Sequence, residues 1–314
     1  MENDNNIRYA GRFGQFLIYL GKQFRMFILQ SDWKVLPMSA IIAGMVSMAV
    51  GKGLYYSMEG TFQANFALAC VCIWNGFFNS IQAICRERPI IKREHRAGLH
   101  ITSYVCAHLV YQMFLCAMQS VITIIVLGVT GVNYPGTGVE GSFIVQFFIT
   151  LFLVTYASDV MALMISAIVK TPMAAMTVMP FMLIIQLVFA GFIQLPAMLS
   201  DVTKLMVSKW GVAGLCVISN YNDLPAVVVW NNVVSSADKI KLGGGVSLRD
   251  VMAIAEEQGM SGMIEQKLGE ANARADFAST IDNLSKCWLA LILFTFIYAI
   301  ITIVFLEFID RDSR

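Results

Sequence analysis

Charge is what this sequence has least of. Only 14% of its 314 residues are Asp, Glu, Lys or Arg, and the net charge is +1. Bulk charge therefore names no partner, and no nucleic-acid partner is expected. Catalytic material is equally thin. The histidines are His95, His100 and His108. The chain has no G-x-x-x-x-G-K-[ST], so no P-loop, and no H-E-x-x-H, CxxC or G-x-S-x-G. The glycine-rich "LGGGVSL" at 242–248 lacks the P-loop lysine and reads as a flexible turn. The expectation is a chain that catalyses nothing itself, with no catalytic residues, no metal site and no cofactor of its own.

Cysteine gives no framework either. Cys70, Cys72, Cys85, Cys106 and Cys116 lie in or beside apolar runs, and the spacing of Cys70 and Cys72 is not that of a metal site. Cys216 and Cys287 fall on the same side of the topology below. They allow one bridge, although two ordinary thiols at apolar sites is the simpler reading. No cleavable signal is evident, because "MENDNNIRYA" at the start has no apolar core.

What the sequence has in abundance is apolar surface. It is 57% hydrophobic with mean hydropathy +0.67, against about 45–50% apolar for a soluble domain. Six long apolar runs stand out, at 35–51, 65–84, 104–129, 143–169, 173–193 and 288–308. Each is near the ~20 residues that a bilayer core requires of a helix. They are continuous rather than alternating, so helices and not a barrel are expected. The fold class is an all-α membrane protein of six transmembrane helices.

The few charges are placed with a bias. With the N-terminus inside, the inner segments hold Arg8, Arg12, Lys22, Arg25 and Lys34, then Arg86, Arg88, Lys92, Arg93 and Arg96, then Lys170. The short outer loops hold only Lys52. Cytoplasmic loops collect Lys and Arg, so both termini are expected in the cytoplasm and the protein in the plasma (inner) membrane, crossing it many times.

Four units follow. Residues 1–34 are the cytoplasmic N-terminus and an amphipathic connecting helix, with Phe13, Phe16, Leu17, Leu20, Phe24, Phe27 and Ile28 on one face and Arg12, Gln15, Lys22 and Arg25 opposite or at its edges. Residues 35–193 hold the first five spans. Pro180 should kink or loosen the fifth. Residues 194–287 lie outside. There 195–215 reads as a re-entrant or interfacial helix, and about 235–283 as a small helical subdomain with Ser247 and Ser261 as N-caps. Residues 288–314 are the last span and a cytoplasmic tail.

The stretch 86–100, "RERPIIKREHRAGLH", concentrates charge between two apolar runs. Topogenic anchoring needs only Lys and Arg. Here Glu87 and Glu94 are interleaved with the bases, as in an ion-paired surface helix. The residues from Glu87 to Val110 are similar to a signature of type-two ABC exporter permeases of the G-subfamily (White-type) class. In that family E-R-x-x-x-x-R-E is followed by a small residue or glycine, an aromatic or His, and the next span. Glu87, Arg88, Arg93, Glu94, Gly98 and His100 fill those places. The family fold, with a connecting helix, six spans, a coupling helix after span two and a re-entrant segment before span six, has a candidate for every part in this sequence. "QLVFAGFIQLP" and "KWGVAG" resemble bacterial permeases whose ATPase partners carry forkhead-associated domains.

The resemblance implies an ATP-driven exporter subunit that works as a homodimer with two separate ATPase subunits, which bind ATP and Mg. Heterodimerisation with a related permease stays open. Glu87, Arg88, Lys92, Arg93, Glu94 and Arg96 would form the ATPase-coupling site. The bases would face the ATPase, and the two acids would pair with these bases or with the connecting helix.

Span two also carries a small-and-polar stripe, Asn65, Ala69, Cys72, Asn75, Gly76, Asn79 and Gln82, at helical spacing. Such a face turns away from lipid, either as helix-to-helix contact or as cavity lining. In the family, spans two and five of both protomers line the pathway. Asn65, Cys72, Asn75, Asn79 and Gln82 are therefore pathway candidates, with Met176, Met179, Gln186, Phe189 and Phe192 of span five. Methionine suits an adaptable apolar site and a lipidic or amphipathic substrate. Asp159 is the one acid deep in a span, and His108 and Gln112 are expected at similar depth. This polar cluster is either structural or a proton relay. A relay would suit the alternative reading, an ion-coupled secondary transporter, although no internal repeat is visible.

Overall fold

The computed structural model describes residues 11–29, 32–50, 54–190, 201–225, 241–242, 246–247 and 273–308, together with 254, 257, 267 and 270. The described residues form helices α1 (Arg12–Leu29), α2 (Val35–Val50), α3 (Met58–Ser80), α4 (Ala83–Arg96), α5 (Ile101–Val129), α6 (Phe143–Ile168), α7 (Pro172–Val188), α8 (Val207–Ile218) and α9 (Ile281–Glu307). Strands are two-residue pairs. Thr137–Gly138 meets Gly141–Ser142 ahead of α6, and Lys241–Leu242 meets Val246–Ser247.

The α3–α4 run Met58–Arg96, α5, α6 and α9 are long and apolar enough to cross a membrane; α2, α7 and α8 are shorter apolar helices. At 1.5 Å per residue, α5 and α9 each extend about 40 Å, beyond a bilayer core of about 30 Å. Many of their apolar side chains point outward, including Ile125, Leu289, Leu293, Phe296 and Ile300. In water that surface would be costly, and lipid is its natural cover. The chain is a multi-pass membrane protein.

α6 is the hub. Most of its side chains are buried, and α3, α5, α8 and α9 pack around it. Glycines let two of these helices approach closely. A Cβ on Gly76 of α3 would lie 2.5 Å from the Thr155 carbonyl oxygen and 2.6 Å from the Asp159 nitrogen of α6. A Cβ on Gly211 of α8 would lie 2.8 Å from Val154 Cγ2. Small residues at these crossings replace the hydrophobic effect with backbone-close packing, as membrane helices require.

Several element ends differ from the sequence expectation. The second span begins at Met58, well before residue 65, because Ser57 caps it by accepting from the Gly60 nitrogen at 3.2 Å. The last helix begins at Ile281 rather than 288, capped by Thr280. Pro180 lies within one assigned helix, α7. Pro89 lies inside α4 and is exposed. α8 has 12 residues, about 18 Å of helix, and is almost entirely buried among α3, α6 and α9. Cys216 and Cys287 are both buried free thiols, so no bridge joins them. Ser247 pairs with Lys241 in a strand. Ser261, Phe192 and most of the 235–283 segment lie outside the described residues.

Candidate functional site

α4 carries the charged stretch, and its placement follows from its ends. Only Ile81 and Gln82 separate it from α3, and both have right-handed helical backbone. It is therefore almost a continuation of α3. Gln82 provides no side-chain cap. Instead Ser166 of α6 accepts from the Ile84 and Cys85 nitrogens, each at 3.1 Å, supplying an N-terminal cap from a different helix. The far end closes in a Schellman turn, with Leu99 N donating to Glu94 O at 3.0 Å and Gly98 N to His95 O at 3.1 Å. Gly98 has φ of 101°, which an L side chain would resist.

Both acids of α4 turn inward, toward α1 and α5. Glu87 Oε1 lies 2.9 Å from Lys22 Nζ of α1, and Glu87 Oε2 accepts from the Tyr104 hydroxyl of α5 at 2.9 Å. His108 Nε2 stands 3.9 Å from the same carboxylate. Burial alone would raise the Glu87 carboxyl, but His108 and Lys22 outweigh it and hold it down at about 2. Glu94 accepts a hydrogen bond from the Tyr19 hydroxyl of α1. Burial and that carboxylate push the Tyr19 phenol up.

Three further contacts hold α1 in register. Gln15 donates to the Gly98 carbonyl at 3.0 Å and accepts from His100 N at 2.9 Å, gripping the turn between α4 and α5. Ser103 donates to the Arg12 carbonyl at 2.9 Å. Phe24 and Phe27 stack edge-on against Tyr111. The apolar face expected of α1 is thereby divided. Phe24 and Phe27 face the protein, whereas Phe13, Leu17 and Ile28 are exposed.

The bases of α4 divide as well. Arg88 does not face outward. Its guanidinium donates to the carbonyls of Ala167 and Val169, at 2.9 and 3.0 Å, where α6 ends with unsatisfied oxygens. Arg86 donates to Gln82. Arg93 and Arg96 are exposed on the outer side, and Lys92 is half-buried. Arg86, Arg88 and Lys92 share a groove of about 560 Å³ with Lys170 and Pro172 of the α6–α7 turn.

The polar stripe of α3 mostly ties helices together. Asn65 donates to Ser219 Oγ, after α8, at 3.1 Å; Asn75 donates to Ser39 Oγ of α2 at 2.9 Å; and Asn79 exchanges two amide hydrogen bonds with Gln119 of α5. Asn65, Cys72 and Asn75 are buried within this one chain, which leaves them no open side. Asn79 and Gln82 line a cavity between α1, α3, α4, α5 and α7. On α7, Gln186 is also an internal contact. Its amide oxygen accepts from Ser208 N at 3.1 Å, and its backbone oxygen accepts from the Ser208 hydroxyl. Met176 is exposed, and Met179 and Phe189 are half-buried.

The expected polar cluster separates into two. Asp159 is 0% exposed between α3 and α6, accepting from Ser80 Oγ at 2.8 Å. His108 and Gln112 instead face α1 and α4, with His108 Nε2 2.9 Å from Gln23 Nε2. Tyr19, Gln23, Tyr104 and Ser166 had not been singled out from the sequence. Gln15, Tyr19 and Lys22 recur at helical spacing on α1, a signal that was available; Ser166 carried none.

The ABC-2 type transporter family profile matches residues 14–219. A relative is the ABC transporter ATP-binding/permease protein Rv1747 of Mycobacterium tuberculosis, 25% identical over 193 residues. That alignment covers 58% of this chain and 22% of the relative, so the chain spans less than a quarter of that protein's length. The family match takes in α1 through α8, including every residue of α4 and its contacts on α1, α5 and α6. Covering more than half of the chain, it shows that this protein belongs to the ABC-2 type transporter family and is an ABC transporter permease.

Proposed function

We propose that this permease is the membrane half of an ATP-driven exporter, working as a homodimer with two separate ATPase subunits that bind ATP and Mg. The six spans are α2, α3, α5, α6, α7 and α9, α8 is a re-entrant helix, and both termini lie in the cytoplasm. α4 is the coupling helix. The observation that carries this reading is the attachment of α4 to three helices: to α6 through Ser166 and Arg88, to α1 through Glu87 and Glu94, and to α5 through Tyr104. A push on α4 at the exposed Arg93 would pass to all three. Closure of the ATPase dimer would move α3 and α5 as levers and carry α1 with them.

The open face of α7, with Met173, Met176, Phe181 and Ile184 exposed, supports a pathway wall facing a second copy and a lipidic or amphipathic substrate. The relative's printed name joins ATP binding to permease function, which supports an ATPase partner. The likeness of residues 186–196 and 209–214 to permeases partnered by forkhead-associated-domain ATPases extends the proposal to that partner type. The test is copurification of this chain with a P-loop ATPase encoded nearby. An ATPase at one-to-one stoichiometry that is released by Arg93→Glu supports the reading. A permease that purifies alone contradicts it.

A further inference from the structure

Gly21 stands in the middle of α1, and nothing in the fold calls for a glycine there. Its backbone is helical, with no positive φ, and a Cβ built on it would meet no atom within 4 Å. Glycine weakens a helix interior relative to alanine, so neither packing nor helix stability accounts for it. What the missing side chain does leave is a groove of about 560 Å³ on the outward side of α1. Leu17, Ile18 and Leu29 wall the groove with exposed apolar surface, and Lys22 and Arg25 border it with positive charge.

That side of α1 carries charge of one sign. No residue of the helix is acidic. Lys22 is answered by Glu87 at 2.9 Å. Arg25 is exposed and forms no ion pair among the described residues. Arg12 and Lys34, near the two ends, are exposed as well. α1 packs on α5 between Ser103 and Phe114, the first half of a helix long enough to cross a membrane. This contact sets α1 toward one membrane surface, and the exposed Trp33 that follows it suits the boundary between lipid and water. A zwitterionic head would bring an ammonium that finds no acid on α1. An anionic head brings only the charge that Arg25 can answer.

We infer that the notch at Gly21 seats an anionic phospholipid, with its phosphate on Arg25 and an acyl chain along Leu17, Ile18 and Leu29. The inference goes beyond the exporter reading and needs only that the chain lies in a membrane.

The test needs no ATPase, so its failure is separate from failure of the exporter reading. The purified chain is placed in nanodiscs of equal parts dioleoylphosphatidylglycerol and dioleoylphosphatidylcholine, and the lipids it retains are counted by native mass spectrometry. The wild-type chain should retain the phosphatidylglycerol over the phosphatidylcholine by roughly tenfold, about the effect of one hydrogen bond to a charged group. Arg25→Gln should bring that ratio toward unity by removing the charge. Gly21→Leu should do so by filling the notch, with an unfolding temperature no lower than wild type, because its side chain enters open space. Equal retention of the two lipids by the wild-type chain would overturn the inference. So would a preference that survives both substitutions, which would belong to the basic surface as a whole. A Gly21→Leu chain that fails to fold would give the glycine a packing role and overturn it too, as would unchanged lipid retention with loss of self-association, which would put a second copy in the notch.

Discussion

Lys22 of α1 and Glu87 of α4 meet at 2.9 Å, with the Glu87 side chain 11% exposed and the Lys22 side chain 35% exposed. The pair joins α1, which precedes α2, to α4, which follows directly on α3. Because Glu87 also accepts from Tyr104, a single carboxylate ties three helices together. An exposed ion pair would add little to stability, but this carboxylate is desolvated on one side and fully engaged on the other.

The first prediction concerns pH. Glu87 is held at about 2 against an ordinary 4.5, so its contribution is complete above about pH 4.5 and is lost as pH falls toward 2. Unfolding in detergent between pH 6 and 3 should show wild-type stability falling more steeply than that of Glu87→Gln. At pH 7 the substitution should cost on the order of 2 kcal/mol, after discounting for the solvent around Lys22. Parallel curves for the two proteins would refute this.

The second concerns the crossing of α3 and α6. A methyl group at Gly76 would meet backbone atoms at 2.5 and 2.6 Å, which cannot move aside as a side chain tip can. Gly76→Ala should destabilise by about 2–3 kcal/mol. Gly44→Ala, whose new carbon would meet only Val126 Cγ1 at 3.7 Å, should be neutral or mildly stabilising. Thermal unfolding of the two variants side by side provides the comparison.

The third concerns Asp159. It accepts from the Ser80 hydroxyl, with the Asn79 amide beside it, and an Asn carbonyl can accept the Ser80 bond equally well. Asp159→Asn should leave transport unchanged, whereas Asp159→Leu should lose about 2 kcal/mol of stability by stranding Ser80. Loss of transport in a stably folded Asp159→Asn would instead identify a proton-carrying role.

The fourth separates two arginines that the sequence groups together. Arg88 holds the end of α6, while Arg93 is exposed. Arg88→Gln should lower the unfolding temperature of the permease alone. Arg93→Gln should leave that temperature unchanged and weaken recovery of the ATPase. Measuring both properties on both variants distinguishes an inward from an outward role.

Sequence made α4 legible because its charges interrupt an apolar background, and the Gly98 turn marks where it stops. The paired use of Glu87 and Glu94 with α1 was also within reach, as one of two alternatives. What was not legible is direction. Arg88 and Arg93 are chemically identical, and only the position of the α6 C-terminus decides which of them turns inward. The α3 stripe shows the same limit. Spacing puts Asn65, Asn75 and Asn79 on polar contacts away from lipid, but not whether the facing surface is another helix or an open cavity. For Asn65 and Asn75 it is another helical segment, with Ser219 and Ser39 as the partners. The early start of α3 depended on Ser57, a capping residue in a stretch whose apolar signal had not yet begun.

The most direct test of the account is a charge swap across the α1–α4 pair. Lys22→Glu and Glu87→Lys each place like charges together, and the double variant restores an ion pair in reversed order. Substrate-dependent ATPase activity of the assembled transporter should fall in each single variant and recover in the double one. If the double variant is as defective as the sum of the singles, the Lys22–Glu87 contact does not transmit motion and the coupling role of α4 is contradicted.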